Sequence, residues 1–131
     1  MSAEFADTNV VLYLLDHGAK ADRAEAILAQ GPRISVQVLN EALVNCRRKA
    51  GLSWEETRDF LGGVQAVCLV EDLTVQTHEV GRALAERYGL SIYDAMIVAS
   101  ALIAGCKVLW SEDMQDGLVI EGKLRIVNPF G

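Results

Sequence analysis

The sequence predicts an α/β sandwich built on a mainly parallel sheet of about five strands. Short runs of β-branched and large apolar residues alternate with longer stretches whose apolar residues recur every three or four positions. Gly, Pro, Ser or Thr punctuates most of the switches, and the connections are short. At 131 residues, 51% hydrophobic and 23% charged, the chain has the size and balance of one globular domain, so residues 1–131 are read as a single unit.

Glu4 to Ala6 reads as a first strand, and Asp7-Thr8 opens a helix carrying Val11, Leu12, Leu14 and Leu15. Lys20 to Gln30 has helical spacing, with Ala24, Ile27 and Leu28 on one face and Gly31-Pro32 as its stop. Arg33 to Val36 is a second strand. Gln37 to Ala50 is a helix with Leu39, Ala42, Leu43 and Cys46 as its apolar stripe. Ser53, with Glu56 three residues on, caps a helix through Phe60 and Leu61. Val67 to Val70 is a third strand, and Thr74 to Tyr88 a helix closed by Gly89. Ser91 to Ala104 is apolar almost all round, which predicts a buried helix. Lys107 to Trp110 and Arg125 to Val127 complete the strands. Ligands of such folds collect outside the carboxyl ends of the strands.

The net charge of -6 argues against holding nucleic acid by bulk positive charge, while leaving room for a local basic patch or a bound cation. Cys46, Cys68 and Cys106 are far apart and lie in apolar stretches, which predicts buried free thiols rather than a zinc site or a disulfide framework. No secretory signal or membrane-spanning stretch is visible, so a cytoplasmic protein is expected.

The informative residues are acids in unusual places. Asp7 follows the first strand, Asp113 follows the fourth, Asp94 opens the most apolar helix, and Glu41 sits on the helix after the second strand. In a parallel sheet these positions share one edge. Carboxylates that converge there repel one another unless a cation joins them, and an all-oxygen site suits Mg²⁺ or Mn²⁺. Each acid also has a plainer reading. Asp7 can cap its helix, Asp94 can complete a Ser91-x-x-Asp94 capping box, and Glu41 can lie on a solvated face with Gln37, Asn45 and Arg48. Asp113 and Asp116 can simply form a turn.

Taken together, the acids resemble those of the PIN domain family. Asp7-Thr8-Asn9 is similar to its first motif, Ser35 to Ala42 to the segment carrying its helical Glu, Leu90 to Ala95 to its third motif, and Ser111-Glu112-Asp113 to its fourth. The closing Asn128-Pro129-Phe130 looks like the end of VapC-type toxins. The resemblance spans the chain, and it departs from the commonest pattern at Ser111, where Thr is usual but the hydroxyl is kept.

The resemblance implies a three-layer α/β/α fold and a Mg²⁺- or Mn²⁺-dependent endoribonuclease. It further implies a homodimer held inactive by a small antitoxin. Asp7, Glu41, Asp94 and Asp113 would be the catalytic, metal-binding acids, with Asp116 as a candidate extra ligand and Asn9 and Ser111 orienting them. Arg47-Arg48-Lys49 either completes its helix or contacts RNA phosphate. His17 and His78 lack a catalytic partner, and Trp54 and Trp110 are expected in the core or an interface. Two other readings compete: a catalytically silent PIN-like domain that binds RNA or protein, and a phosphoaspartyl protein of receiver or phosphatase type. The phosphatases want D-x-D where this chain has Asp7-Thr8-Asn9.

Overall fold

The computed structural model describes residues 3–131. In chain order it contains β1 (Glu4–Ala6), α1 (Thr8–Leu12), a 3-10 turn (Tyr13–Leu15), α2 (Ala19–Leu28), β2 (Arg33–Ser35), α3 (Val36–Arg48) and α4 (Trp54–Val67). There follow β3 (Leu69–Glu71), α5 (Val75–Tyr88), α6 (Ile92–Ile103), β4 (Val108–Trp110), β5 (Val119–Ile120) and β6 (Leu124–Val127). The sheet order is β3-β2-β1-β4-β6-β5. Every neighbouring pair is parallel except β5 with β6. The α/β fold with a mainly parallel sheet is therefore as the sequence predicts.

Crossovers from β1 to β2 and on to β3 travel one way along the sheet, and the return from β3 to β4 travels the other. Right-handed connections then place helices on both faces. The chain reverses direction between β1 and β4. A crevice opens outside the carboxyl ends of such a strand pair. The ladder continues just past the strands there, with Asp7 N–H bonded to Trp110 C=O at 2.9 Å and Ser111 N–H to Val127 C=O at 3.0 Å. The residues entering the crevice are thus held by the sheet itself.

Phe5, Ile34, Leu109 and Ile126 from four strands are fully buried, with Val38 of α3 and Ile97 and Val98 of α6 packed on them. At 20–33 cal/mol per Å², burial of side chains this size is the main force joining helices to sheet. Helices α5 and α6 pack especially closely: a Cβ on Gly81 would lie 2.6 Å from Met96 Cε. Cys46, Cys68 and Cys106 are buried free thiols, and burial pushes Cys68 and Cys106 up to about 11. Among the described residues, no helix is long and apolar enough to cross a membrane.

Several boundaries differ from the sequence reading. The described residues form six strands rather than about five: Val119–Ile120 joins β6 through a turn in which Glu121 (φ 53°) and Gly122 (φ 66°) are both left-handed. Tyr88 Oη accepts from Glu121 N–H at 2.9 Å, and Arg87 pairs with the Glu121 carboxylate at 2.9 Å, which holds a conformation glutamate rarely adopts. The first helix tightens to a 3-10 turn at Tyr13 rather than running on through Leu15. The third strand starts at Leu69 rather than Val67, because α4, which buries Thr57 and Val64, runs on to Val67. Helix α6 is buried at Ala95 and from Ile97 to Ala101, but Ile92, Tyr93 and Ile103 at its ends are exposed.

Candidate functional site

Asp7 is the N-cap of α1, its Oδ1 accepting from Thr8 N–H at 2.6 Å. The capping role is real, but it uses one oxygen. The other, Oδ2, accepts from Ser111 Oγ at 2.7 Å and from Asn9 Nδ2 at 3.2 Å. The residue is 3% exposed. Burial pushes its carboxyl up to about 7; the Ser111 and Thr8 bonds oppose this, and the charges of Asp94 and Glu41 add to it.

Asn9 is the bridge of the site. Its amide nitrogen also donates to Asp113 Oδ2 at 3.0 Å, while its Oδ1 accepts from Glu112 N–H at 3.2 Å. One side chain thereby ties the ends of β1 and β4 together. Ser111 is fully buried and works in the same way, donating to Asp7 and accepting from Met114 N–H at 3.2 Å.

Glu41 projects from α3 toward α1, where Thr8 Oγ1 donates to its Oε1 at 3.0 Å and Gln37 Nε2 to its Oε2 at 2.8 Å. The polar face of α3, which the sequence allows to be a solvated face, is closed over by α1 at this point. Asp94 lies in the first turn of α6, where the Ser91 hydroxyl caps its N–H at 3.2 Å. Burial raises its carboxyl too; Ser91 opposes this, and Glu41 and Asp113 reinforce it. The four acids therefore form one electrostatic network from four elements. The charges that raise Asp7 and Asp94 are all carboxylates.

The network stops short of a ligand cage. Among the described residues, no three His, Cys, Asp or Glu side chains stand together closely enough to hold an ion. Like charges keep apart, and Asp7, Glu41 and Asp113 each rest on neutral donors: Ser111, Asn9, Thr8 and Gln37. The chemistry of the set fits a hard divalent ion: its donors are all oxygen, amide and hydroxyl groups orient three of them from behind, and burial penalises the charge of Asp7 and Asp94 unless a cation shares it.

A PIN domain profile matches residues 5–115 of the 131. The chain belongs to the PIN domain family. Solved structures agree on the fold. A toxin–antitoxin complex from Klebsiella pneumoniae superposes with TM-score 0.75 at 21% identity, covering 97% of this chain and 98% of that one. DNA-bound VapBC from Salmonella typhimurium gives 0.72 at 23% identity, covering 96% and 97%. The Mycobacterium tuberculosis toxin VapC20, which cleaves the sarcin–ricin loop, gives 0.65 at 21% identity, covering 84% and 89%. Comparison with curated protein sequences gives no match.

Within this PIN domain, Asp116 has a different task from the four acids. It accepts from Asn128 N–H at 2.9 Å and so ties its turn to the closing Asn128-Pro129-Phe130 segment. Among the described residues, Asp116 does not figure in the charges that raise Asp7 or Asp94. The basic run divides. Arg47 donates to Leu52 C=O at 2.7 Å and stacks 4.4 Å over the exposed Trp54 ring, so it serves the turn after α3. Arg48 and Lys49 are exposed. Lys49 lines a groove of about 330 Å³ with Asn45, Asn9, Leu12 and Tyr13. Asn9 belongs both to this groove and to the site, so the groove runs up to the residue that bonds Asp7 and Asp113. Trp110 is half-buried and donates to Glu4 at 2.9 Å, whereas Trp54 lies outside the core. His17 and His78 are exposed.

The sequence reading missed Thr8, Gln37 and a cluster of Tyr13, Lys20 and Glu112. Thr8 sits inside the first motif and Gln37 four residues before Glu41, so both had a local signal. Lys20 and Glu112 are 92 residues apart and had none.

Proposed function

We propose that this PIN domain is a divalent-metal-dependent endoribonuclease, the toxin of a VapBC-type toxin–antitoxin pair. The observation that carries the reading is the network of Asp7, Glu41, Asp94 and Asp113 at the chain reversal between β1 and β4. Asp7, Glu41, Asp94 and Asp113 would hold Mg²⁺ or Mn²⁺. When bound, such an ion polarises a phosphoryl oxygen and lowers the pKa of a water for in-line attack. Ser111 and Asn9 fix the Asp7 oxygens, and Asn9 keeps Asp113 beside them. Thr8 and Gln37 turn Glu41 inward. An acidic protein brings little long-range attraction to RNA, so binding rests on the ion and on local cations.

Arg48 and Lys49 supply those cations, with the strand entering along the groove beside Asn45. Arg48→Ala/Lys49→Ala is expected to weaken RNA binding roughly uniformly across sequences and to lower the salt slope by about 1–2, without moving the cut. Arg47→Ala is expected to cost stability and leave RNA affinity alone. Affinity at two salt concentrations, with Ca²⁺ replacing Mg²⁺, separates the variants. Equal affinity and slope for Arg48→Ala/Lys49→Ala and the parent would retire this strand path.

The expected partners are an RNA substrate, a second copy of the chain and a small antitoxin. A basic side chain of the antitoxin, Arg or Lys, would take the ion's place among the acids. The function is tested by incubating the protein with cellular RNA in Mg²⁺, Mn²⁺ or EDTA and mapping ends at nucleotide resolution. Discrete, EDTA-sensitive cuts support the nuclease. RNA bound but uncut with either ion would instead favour a binding domain that keeps the acids without the chemistry.

A further inference from the structure

Ser111-Glu112-Asp113 places two acids side by side in one turn, and only one of them faces the acid network. Asp113 bonds to Asn9 at 3.0 Å. The Glu112 carboxylate leaves the turn on the other side, where Oε1 accepts from Tyr13 Oη at 2.5 Å and Oε2 pairs with Lys20 Nζ at 2.7 Å. Lys20 Nζ also lies 3.3 Å from Tyr13 Oη, 5.3 Å from the centre of the Tyr13 ring and 5.8 Å from that of Phe130. The Tyr13 and Phe130 rings meet edge to face with centroids 4.7 Å apart. Phe130 is in turn placed by Asn128, whose Oδ1 accepts from Phe130 N–H at 2.9 Å.

An isolated surface ion pair does little. Here, though, both oxygens of the carboxylate are engaged, and the cation is seated against two aromatic rings. The backbone of the same residue is held separately, by Asn9 Oδ1. Glu112 is thus fixed at both ends, and its neighbour's direction is fixed with it.

We propose that Lys20 and Tyr13 are positioning residues that latch Glu112 outward, so that the turn offers Asp113 and not Glu112 to the divalent ion. The inference rests on the metal-dependent reading above, but it concerns ion binding rather than cleavage. Without the latch the turn samples both acids, and Glu112, longer by one methylene, competes for the place of Asp113. Outer partners of metal ligands typically matter by about 10–100-fold in affinity.

The test is Mn²⁺ affinity in the absence of RNA, measured as free Mn²⁺ by electron paramagnetic resonance, together with melting temperature in EDTA. The variants are Lys20→Met, Tyr13→Phe, Lys20→Arg and Lys20→Met/Glu112→Ala. Removing a cation near a cation site should by charge alone strengthen Mn²⁺ binding. The latch predicts the opposite sign for Lys20→Met, a weakening of about 10-fold. Tyr13→Phe should fall in between, Lys20→Arg should stay near the parent, and the double variant should recover much of the loss because the competing acid is gone. Unchanged or tighter Mn²⁺ binding in Lys20→Met overturns the latch, as does a fall in melting temperature with affinity unchanged. A parent chain that binds Mn²⁺ and passes this series but leaves RNA uncut sinks the nuclease reading and not the latch. A parent that binds no Mn²⁺ sinks both.

Discussion

Asp7→Asn is expected to cut RNA at least about 100-fold more slowly than the parent while melting higher in EDTA. The two effects have one cause. Moving a carboxyl from 3.8 to about 7 means that the fold disfavours its charged form by roughly 4 kcal/mol. Below pH 3.8 the folded and unfolded chains both keep the proton. Between 3.8 and about 7 only the folded chain keeps it, so metal-free stability falls as pH rises through that window and stays low above it. Asp94 shifts in the same direction and adds to the slope. Asparagine removes the charge, but its amide nitrogen cannot accept, so the bonds from Ser111 and Asn9 must be lost or rearranged, which leaves a net gain of about 1–3 kcal/mol at pH 8. Urea unfolding in EDTA at pH 5.5 and pH 8 measures this: a falling profile for the parent and a flatter one for Asp7→Asn. A sharp loss of stability with cleavage retained would mean that Asp7 acts only as the cap of α1.

Asn9→Asp is expected to destabilise the metal-free protein by about 2–4 kcal/mol and to make its stability steeply dependent on Mn²⁺. The substitution is nearly isosteric. It changes the group that donates to Asp7 and Asp113 into one that only accepts, and it places a fifth negative charge between them. Asn9→Ala loses the same bonds without adding charge, so it should cost less and respond less to the ion. The difference between the two variants in EDTA, and its collapse on adding Mn²⁺, is the reading. Equal melting of Asn9→Asp and the parent in EDTA would show that the acids are too far apart or too well solvated to repel.

The order of strands and helices was legible because each change of period coincides with punctuation, as at Gly31-Pro32 and Ser53. β5 was not legible: two residues cannot display an alternation, and its turn uses Glu121-Gly122, where the strong hairpin signal would be Asn or Asp before Gly. The positions of Asp7 and Asp113 followed from strand ends alone. Glu41 was harder, since apolar spacing finds the buried face of α3, and the polar face looks the same whether water or Thr8 covers it. Asp116 shows the converse limit. The resemblance offers it as a further ligand, while one of its oxygens accepts from the backbone of Asn128, a partner that no local pattern announces. The Lys20–Glu112 pair depends wholly on the chain returning to β1 through β4, which no local pattern encodes.

The central claim is that acids from four elements share one divalent ion. Crystals grown in Mn²⁺ and measured at a wavelength where manganese scatters anomalously test it most directly. The account predicts a single strong peak within about 2.0–2.4 Å of carboxylate oxygens of Asp7 and at least one of Glu41, Asp94 and Asp113, and no such peak in Asp7→Asn crystals. A peak held by other residues, or a peak that survives Asp7→Asn unchanged, would contradict it.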